Sequence, residues 1–544
     1  MPHRQQQLLL KPQRLRLLLL KPQPLFQLLS RIEAPAESAS STAPADPPAA
    51  AASVSIARRD SGPSASASTL QTSPFVDHSV SLPAEEGVPA AVPRRQPRYK
   101  ARREVAQQPD TSAGQETGDD YGSCFAFKLQ ANGGPVVQED LDFVLNNFVH
   151  GMQISTPSHP VAVSVEYDVG LLDEAYEFTC TPQLCHLKFS SRSGFFYGML
   201  TAFQISHNHA DGLTSIINTG FNITDYPSFP HRGMLIDTGR RYLPVDLIKK
   251  NLHTMAWVKM NVLHWHISDD ISFSVQLENY SRLQFNNPTP VSYTADEVKE
   301  VVEYANSLNI KVIPEMDVPA HTTSWIRGAR LIFAGKLLLK ADCFGRYPFL
   351  TGEADYWMDP ISERVVHLGG DEVGDAWNTP ALEQWARDHG KFHNRTDLVD
   401  YWISHTIAEV KRRTGARVIL WNDFLDDHTT QADTIDTWQI WRYDTSQTLD
   451  MAASGNFGGL IYSSAFFLDL LGDDWATFYD VPLKRDGAGV IKGGEACMWG
   501  ESVDASVFMP RVWLRAAAIA ERLWCADEDI CPFNHEWAVN RLAR

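Results

Sequence analysis

The segment His367-Leu-Gly-Gly-Asp-Glu-Val373 places two carboxylic acids side by side, directly after two glycines. A pair of glycines lets the end of a strand bend tightly, so the side chains of Asp371 and Glu372 can both face one cavity. Two carboxylates in such a place can carry out acid–base catalysis, bind Mg²⁺ or form a solvated turn. The segment by itself leaves these three interpretations open.

Eight short apolar runs after Pro230 indicate the elements that would position this pair. Each run ends in polar or aromatic residues, and amphipathic stretches such as residues 244–258, 294–308 and 398–413 separate most of them. The runs are Gly233-Met-Leu-Ile-Asp, Met260-Asn-Val-Leu-His-Trp-His, Ile310-Lys-Val-Ile-Pro-Glu-Met-Asp, Arg364-Val-Val-His-Leu-Gly-Gly-Asp-Glu, Arg417-Val-Ile-Leu-Trp-Asn-Asp, Thr434-Ile-Asp-Thr-Trp-Gln-Ile-Trp, Gly459-Leu-Ile-Tyr-Ser-Ser and Val490-Ile-Lys-Gly-Gly-Glu-Ala. Eight strands that alternate with helices predict a (β/α)8 TIM barrel, an α/β fold.

Active sites of this fold lie at the carboxyl ends of the strands. In this chain those ends carry acidic groups, one arginine and several tryptophans: Arg240, Asp269, Asp270, Asp317, His321, Asp371, Glu372, Trp421, Trp441 and Glu501. Carboxylates bind sugar hydroxyls, and aromatic rings stack on the apolar faces of pyranoses, so this mouth favours a sugar-binding site. A single tryptophan there is more often part of the core, but that interpretation weakens when several fall at equivalent strand ends. Asp269 and Asp270 are adjacent, and which of them points inward is left open.

Three regions are expected along the chain. An alternating pattern at Val161-Ala-Val-Ser-Val-Glu, a hairpin at residues 177–189 and helical spacing at residues 191–205 predict a small α+β domain over residues 120–228, followed by the barrel domain over residues 229–544. Residues 1–119, rich in Ala, Ser and Pro, are predicted to form a disordered, low-complexity tail. The first 32 residues hold six Lys/Arg and no acid, which fits either a targeting segment or an unreliable chain start.

Charge and cysteine usage argue against several classes of function. Residues 104–544 carry 34 Lys/Arg and 59 Asp/Glu, an acidic balance that argues against nucleic acid as a partner. The longest apolar stretch near the amino terminus is residues 17–20, too short to span a membrane. The seven cysteines show no CxxC spacing, so neither zinc nor another metal is expected, and no motif indicates a cofactor.

The cysteines and the glycosylation sequons favour a lysosomal or secreted protein. Cys180 with Cys185, and Cys525 with Cys531, are close enough in sequence to form local disulfides. The three Asn-X-Ser/Thr sequons begin at Asn222, Asn279 and Asn394.

Four further motifs accompany the carboxylate pair in a fixed order along the chain. They are Pro230-His-Arg-Gly-Met-Leu-Ile-Asp-Thr-Gly-Arg240, His264-Trp-His-Ile-Ser-Asp-Asp270, Glu315-Met-Asp-Val-Pro-Ala-His321 and Gly493-Gly-Glu-Ala-Cys-Met-Trp-Gly-Glu501. With the carboxylate segment they closely resemble the retaining β-N-acetylhexosaminidases of glycoside hydrolase family 20, which include the lysosomal α and β subunits. The resemblance covers roughly residues 160–525 and includes the family's small α+β domain before the barrel.

This resemblance implies hydrolysis of terminal non-reducing N-acetylglucosamine or N-acetylgalactosamine by substrate-assisted retaining catalysis, without a cofactor. The 2-acetamido carbonyl of the substrate attacks the anomeric carbon and forms an oxazolinium intermediate. Glu372 would protonate the leaving oxygen and then activate water, and Asp371 would orient the acetamido N–H. The expected substrates are N-glycans, chitooligosaccharides and glycolipids, and a homodimer is also implied.

The resemblance further implies a set of substrate-binding residues: Arg240, Asp269, His321, Trp421, Trp441, Phe467, Asp469, Trp499 and Glu501. Arg240 and Glu501 are expected to bind the outer hydroxyls of the sugar. The three tryptophans are expected to surround the ring and the acetamide methyl. Asp269 and the Asp317/His321 pair are expected to fix the orientation of the acid.

The loop Ser463-Ser-Ala-Phe-Phe-Leu-Asp-Leu470 departs from the family pattern. Phe467 stands where the family has a tyrosine whose hydroxyl binds the acetamide carbonyl. Asp469 and Leu470 match the ending of the β-type subunits.

A second departure lies between His321 and Arg364, where the family carries a longer loop and a helix. Roughly twenty residues are missing there, and a missing helix would expose the barrel core, so the product would be unstable or the gene sequence incomplete. Cys343 also lacks the partner that its equivalent finds after the Asp-Glu pair. The chain ends at Arg544, before the family's usual final segment.

Three functions remain candidates. The first is an active hexosaminidase, and the second is a non-catalytic glycan-binding relative, favoured by Phe467 and the shortened connection. The third is another barrel glycosidase, such as a β-glucosidase with two separated carboxylates. Release of nitrophenol from an N-acetylglucosaminide but not from a glucoside would support the first, and binding without release the second.

Restoring the family's tyrosine at position 467 should accelerate catalysis. A buried hydrogen bond to the acetamide carbonyl is worth about 0.5–1.5 kcal/mol, so Phe467→Tyr should raise kcat on N-acetyl substrates by roughly three- to tenfold. The same variant should bind a thiazoline analogue of the intermediate more tightly and keep its thermal stability. If kcat and thiazoline binding do not improve, another group holds the acetamide or the loop alignment is off by a residue.

Overall fold

A computed structural model describes residues 123–128, 160–208, 214–216, 220–276, 292–324, 364–373, 393–470 and 475–526, with a few single positions between them. Several expectations concern positions outside these residues: the amino-terminal tail, the Asn279 sequon, the shortened connection with Cys343, the pairing of Cys531 and the end of the chain.

Among the described residues, seven strands form a mixed sheet before the barrel. They are β1 (Ser123–Lys128), β2 (Pro160–Tyr167), β3 (Tyr176–Cys180), β4 (Leu184–Phe189), β5 (Ser206–Asn208), β6 (Thr214–Ile216) and β7 (Phe221–Asp225). Their order across the sheet is β5-β6-β1-β2-β4-β3-β7. Strands β3 and β4 form the predicted antiparallel hairpin, and the predicted disulfide joins Cys180 to Cys185 there.

Helix α1 (Arg192–Gln204) lies between this sheet and the barrel. The hydroxyl of Ser191 caps the helix by accepting the N–H of Gly194 at 3.1 Å. Residues 194–203 are all buried, as expected of a helix covered on both sides. On the barrel side, Arg192 donates to the carbonyl of Asn306 and Gln204 to that of Trp257.

The predicted barrel is confirmed, because eight parallel strands close on themselves where β15 pairs with β8. The strands are β8 (His231–Asp237), β9 (Val262–Ser268), β10 (Lys311–Met316), β11 (Val365–His367), β12 (Arg417–Trp421), β13 (Thr437–Ile440), β14 (Leu460–Tyr462) and β15 (Ile491–Met498). The described helices around them are α2 (Val245–Trp257), α3 (Ala295–Ser307), α4 (Arg395–Thr414), α5 (Asp423–Asp426), α6 (Thr445–Ser454), α7 (Trp475–Tyr479), α8 (Phe508–Val512) and α9 (Arg515–Trp524), with a 3₁₀ turn at Ala432–Thr434.

Two buried cations connect the barrel to the preceding sheet. The guanidinium of Arg232 lies 2.9 Å from Glu174, and the ammonium of Lys259 lies 3.2 Å from Asp225. The indole of Trp524 lies against both cations, at 5.1 Å from Arg232 and 4.3 Å from Lys259. Because each buried charge has an acidic partner and an aromatic face, this junction fixes the sheet against the barrel.

Alternate residues of the barrel strands point inward and form three layers. The layer nearest the amino ends of the strands is apolar: Val262, Ile313, Val365, Ile419 and Ile461. The layer nearest the carboxyl ends contains Leu235 and Cys497, which pack against Trp421 of the middle layer. Between them lies a polar group, called the interior ladder below: His231, His264, His266, Glu315, His367, Trp421, Gln439, Ser463 and Glu495.

Glu315 and Glu495 hold the interior ladder together. His264 bridges them, with Nδ1 at 2.6 Å from Glu495 and Nε2 at 3.0 Å from Glu315. Glu315 also accepts from Nδ1 of His266 at 2.6 Å and from the indole N–H of Trp421 at 2.9 Å. These groups come from four strands, β9, β10, β12 and β15, so the ladder requires the strands to be in register.

Further contacts extend the interior ladder to the remaining strands of the barrel. His367 lies 3.1 Å from Glu315. Glu495 is bonded to His231 at 3.0 Å and accepts from the amide of Gln439 at 2.8 Å. The same amide donates to the hydroxyl of Ser463 at 3.0 Å. Every strand of the barrel thus contributes a side chain, from within the strand or from its immediate end.

The ladder is ionised. Burial alone would lower the pKa of His264, but Glu495 and Glu315 outweigh burial and raise that pKa to about 9. Burial likewise opposes the effect of Glu315 on His266, whose pKa is nevertheless raised well above its usual value. The pKa values of Glu315 and Glu495 are held low by the same imidazoles against the effect of burial. Two imidazolium groups therefore balance two carboxylates.

In the described part of the chain, no helix has the length and apolar character needed to cross a membrane. Cys525 takes part in a disulfide, as expected for one member of the predicted second pair, and Cys497 is a buried free thiol.

The ladder predicts a pH dependence of stability that can be assigned to His264. A histidine whose pKa is raised on folding stabilises the protein fully below its unfolded value of 6.5, and this contribution is lost as the pH rises through about 9. His264→Gln should therefore lower the free energy of unfolding at neutral pH, and its difference from the wild type should shrink by about 2 kcal/mol in alkaline buffer.

Urea unfolding at both pH values measures this difference. His253→Gln is the matched control, because burial lowers the pKa of His253 to about 4 and the ring is neutral throughout this range. Its effect on stability should be the same at both pH values. A His264→Gln effect that is equally independent of pH would mean that His264 is uncharged in the folded protein.

Candidate active site

The turn after β11 brings Asp371 and Glu372 to the mouth of the barrel. Gly369 and Gly370 have φ values of 64° and 90°, and Glu372 itself has φ 49°. A Cβ atom on Gly369 would lie 1.7 Å from Oδ1 of Asp317, so only glycine fits there. The tight bend expected from the two glycines is confirmed.

The two adjacent carboxylates lie in different surroundings. The side chain of Glu372 is 56% exposed, whereas that of Asp371 is 14% exposed. Oδ1 of Asp371 is a buried acceptor that has no hydrogen-bond partner within the described residues. One carboxylate can therefore reach a group that enters from solvent, while its neighbour can accept an N–H inside the pocket.

His321 lies at the centre of the acidic groups. Its Nε2 is 3.4 Å from Glu372, 3.6 Å from Asp371 and 3.9 Å from Asp317. Its Nδ1 is 3.9 Å from Asp269. These distances are longer than those of good hydrogen bonds. The expected grouping of Asp269, Asp317 and His321 beside the acid is thus present, while their supporting role stays a prediction.

The acidic groups around His321 differ in protonation. Burial raises the pKa of Asp317 well above its usual value, and the nearby Asp371 raises it further. Burial would also raise the pKa of Asp269, but His266 and Arg240 outweigh it and lower that pKa. Asp317 thus favours its protonated form and Asp269 its ionised form, which limits the repulsion between neighbouring carboxylates.

Asp269, rather than Asp270, points inward. Asp269 is 2% exposed and accepts from Nε2 of His266 at 3.2 Å. The side chain of Asp270 is 50% exposed and accepts the backbone N–H of Thr323. The question that the sequence left open is thereby answered.

Arg240 joins three strand ends on the other side of the mouth. Its guanidinium lies 2.9 Å from Asp237, 3.0 Å from Asp269 and 3.3 Å from Glu501. It also lies 5.2 Å from the centre of the Trp499 ring. Glu501 is 58% exposed, so a ligand could bond to both Glu501 and Arg240.

An aromatic wall lines the space between these groups. It comprises Trp421, Trp441, Phe467 and Trp499, which pack with Leu235 and Cys497. Trp421 is buried and forms the floor, while the other three rings are partly exposed. Phe467 belongs to this wall because the backbone after it pairs with β15, where the N–H of Leu468 donates to the carbonyl of Cys497 at 2.7 Å.

Two arginines hold the loop that carries Phe467 and Asp469. Arg511 donates to the carbonyl of Asp469 at 2.6 Å, and Arg515 donates to the carbonyl of Phe467 at 3.3 Å. Oδ1 of Asp469 is buried without a hydrogen-bond partner among the described residues. Burial raises the pKa of Asp469, and the charge of Glu501 adds to this effect.

Three groups of side chains bring possible metal ligands within 4.8 Å of one another: His264/Glu315/His367, Asp269/Asp270/His321 and Asp317/His321/Asp371. In the first group His264 already forms an ion pair with Glu315, and His367 lies 3.1 Å from the same carboxylate. The other two groups share His321. Metal ligands must be deprotonated, whereas the pKa of Asp317 is raised. The geometry favours ion pairs over a metal, and the expectation of no metal stays a prediction.

Sequence reasoning assigned no role to the residues of the interior ladder other than Trp421, or to Asp237 and Asp423. The sequence contained a signal for the ladder, because Glu315 and Glu495 are the only acidic residues within strands β10 and β15. Such residues are seldom buried unless paired. Asp423 follows Trp421 by two positions and could have been found by the same strand-end rule.

Comparisons with known proteins agree with this geometry. Residues 229–527 match the family model described as glycosyl hydrolase family 20, catalytic domain. The beta-hexosaminidase subunit beta of Homo sapiens is 35% identical over 395 residues, which cover 68% of this chain and 69% of that protein. The subunit alpha of Rattus norvegicus is 33% identical over 397 residues, covering 68% and 73%.

Solved structures share the fold. The exo-β-N-acetylglucosaminidase of Vibrio harveyi, solved with N-acetylglucosamine, has a TM-score of 0.64 at 20% identity and covers 78% of this chain and 73% of its own. The N-acetyl-β-hexosaminidase of Streptomyces plicatus, solved with thio-NAglucal, has a TM-score of 0.59 at 21% identity and covers 78% and 91%. With a family model that spans the whole barrel and relatives of this identity, the chain belongs to glycosyl hydrolase family 20.

Proposed function

We propose that this chain is an exo-acting β-N-acetylhexosaminidase that works by substrate-assisted retaining catalysis. The observation that carries the proposal is the pair of neighbouring carboxylates in unlike surroundings. Glu372 is exposed, while Asp371 offers a buried acceptor that has no partner among the described residues. One group is suited to exchange a proton with solvent-side atoms, and the other is suited to bind the amide of the sugar.

The first half of the reaction breaks the glycosidic bond. The carbonyl oxygen of the substrate's acetamide forms a bond to the anomeric carbon, the bond from that carbon to the glycosidic oxygen breaks, and Glu372 gives its proton to the leaving oxygen. Asp371 accepts the acetamido N–H and offsets the positive charge of the oxazolinium. No enzyme nucleophile is needed, because the nucleophile belongs to the substrate.

The second half restores the enzyme. Glu372, now a carboxylate, takes a proton from water, whose oxygen bonds to the anomeric carbon as the bond to the acetamide oxygen breaks. Two displacements at one carbon leave its configuration unchanged. His321, at 3.4 Å from Glu372, supports the orientation of this group during both steps.

The remaining site residues would bind and select the sugar. Arg240 and Glu501 would bond the outer hydroxyls, and the aromatic wall would stack on the ring and enclose the acetamide methyl. The negative group of Asp469 and the apolar Leu470, which is 61% exposed, favour neutral over sulfated sugars. Expected substrates are N-glycans, chitooligosaccharides and glycolipids with a terminal N-acetylhexosamine.

We also propose a cellular location for the protein. The Cys180–Cys185 disulfide and the exposed sequon residues Asn222 and Asn394 support a lysosomal or secreted location. A homodimer stays an expectation from the family resemblance.

Initial rates on three aryl glycosides test the function. The enzyme should release nitrophenol from N-acetyl-β-glucosaminide and N-acetyl-β-galactosaminide but not from β-glucoside, since only the first two carry the nucleophile. Cleavage of the glucoside at a similar rate would favour a two-carboxylate glycosidase. Binding of N-acetylglucosamine without any release would favour the non-catalytic relative.

Isosteric amides at the two carboxylates should give different patterns of loss. Glu372→Gln should abolish activity on disaccharides far more than on aryl glycosides with activated leaving groups, because only poor leaving groups need a proton. Asp371→Asn should slow both substrates alike, because the oxazolinium step is common to them. Equal losses for Glu372→Gln on the two substrates would contradict its acid role, and an unchanged rate for Asp371→Asn would remove that residue from the mechanism.

A further inference from the structure

Asp423 lies behind the proton donor, at the first turn after strand β12. It is 6% exposed, and both of its oxygens have partners from the site. Oδ1 accepts the backbone N–H of Glu372 at 2.9 Å, and Oδ2 accepts the indole N–H of Trp441 at 2.6 Å. One carboxylate thus contacts the backbone of the acid and the side chain of the aromatic wall.

The contact with Glu372 falls where the backbone is strained. Glu372 has φ 49°, a left-handed conformation that ordinary residues seldom adopt. Strand β11 ends at His367, so Glu372 lies beyond the strand and its N–H is outside the hydrogen bonds that join the barrel strands. The charge-assisted hydrogen bond from this N–H to Asp423 stabilises the conformation and with it the direction in which the acid points.

The contact with Trp441 is reinforced from two sides. The backbone N–H of Trp441 donates to Oδ1 of Asn422 at 2.9 Å, and the guanidinium of Arg442 lies 4.6 Å from the indole ring. Arg442 also reaches Asp423 at 2.8 Å. The indole is therefore held by its edge, its backbone and its face, with Asp423 taking part in two of these contacts.

From this arrangement we propose that Asp423 is a positioning residue that fixes the proton donor Glu372 and the wall residue Trp441 relative to each other. The proposal rests on the proposed function, because it assumes that Glu372 acts as the acid. It adds a residue to that site that contacts neither the sugar nor the leaving group. A sugar stacked on Trp441 would then present its glycosidic oxygen to an acid at a fixed distance.

The charge of Asp423 should change how the activity depends on pH. Burial raises the pKa of Asp423 to about 6, and the nearby Asp371 adds to this, while the bonds from Glu372 and Trp441 and the charge of Arg442 oppose it. Above that pH the ionised group adds a negative charge near Asp371, in the site that also holds Glu372. Such a charge favours the protonated form of a neighbouring acid, so it extends activity toward higher pH.

The test compares Asp423→Asn with Asp426→Asn. Asparagine keeps the size of the side chain but turns an amino group toward one of the two N–H donors, so one bond is lost. Asp426 lies on the same short helix and contacts Arg442 at 3.2 Å from the solvent side, and its hydrogen bonds within the described part of the chain involve neither Glu372 nor Trp441. A merely structural role of the helix or of Arg442 predicts similar effects for both variants.

Asp423→Asn should lower kcat on an N-acetylglucosamine disaccharide by roughly tenfold or more, and on a dinitrophenyl N-acetylglucosaminide by no more than about threefold. The basic limb of its kcat/KM profile should move to lower pH. Asp426→Asn should stay within about twofold of the wild type on both substrates. The ratio between the two substrates does not depend on the fraction of protein that is folded, so it remains decisive if Asp423→Asn is less stable.

The outcomes separate this proposal from the proposed function. A wild-type protein that releases no sugar would overturn the function, and the positioning role with it. An active wild type in which Asp423→Asn keeps the wild-type ratio and pH profile, or in which both asparagine variants behave alike, would overturn the positioning role alone.

Discussion

The barrel is built around two buried carboxylates, Glu315 and Glu495, and the imidazole of His264 that bridges them. Removing such charges from water costs several kcal/mol for each ion unless partners with good geometry surround it. Here the partners come from five other strands of the barrel, β8, β9, β11, β12 and β13. The strands must therefore close in one register, since a shift of one residue would turn each polar side chain away from its partner.

The interior ladder also explains how the mouth of the barrel is held in place. Glu315 accepts the indole N–H of Trp421, which forms the floor of the pocket. Through His266 the ladder reaches Asp269, and through Asp269 it reaches Arg240. Ionised groups thus continue from the middle of the barrel to the residues proposed to bind the sugar. A site held in this way keeps its geometry before the substrate arrives, which is what electrostatic catalysis requires.

The more exposed part of the site, which carries Asp371 and Glu372, is held by a tight turn rather than by the interior ladder. Asp371 and Glu372 sit on a turn of left-handed residues, where Gly369 leaves room for Asp317 and Asp423 binds the backbone of Glu372. The acids around His321 avoid mutual repulsion because the pKa of Asp317 is raised and that of Asp269 is lowered. Rigid support and unequal protonation together allow several carboxylates to share one small space.

Much of this fold could be predicted from the sequence, because apolar runs and amphipathic helices repeat along the barrel and glycines mark the turn at Asp371. The choice between Asp269 and Asp270 could not, since adjacent residues at a strand end have no periodicity to distinguish them. The ladder pairs His264 with Glu495, which lie on strands far apart in sequence. Asp423 shows its importance only through the backbone of Glu372, a contact that no side-chain pattern indicates.

The most direct test of the account is the rate of hydrolysis across a series of substrates with acetyl, fluoroacetyl, difluoroacetyl and trifluoroacetyl groups on the 2-amino nitrogen. Each fluorine withdraws electrons from the carbonyl oxygen and weakens it as a nucleophile, while the leaving group stays the same. If the acetamide held by Asp371 attacks the anomeric carbon, kcat/KM should fall steeply along the series. A rate that is unchanged across the series would contradict substrate-assisted catalysis and point to a nucleophile from the protein.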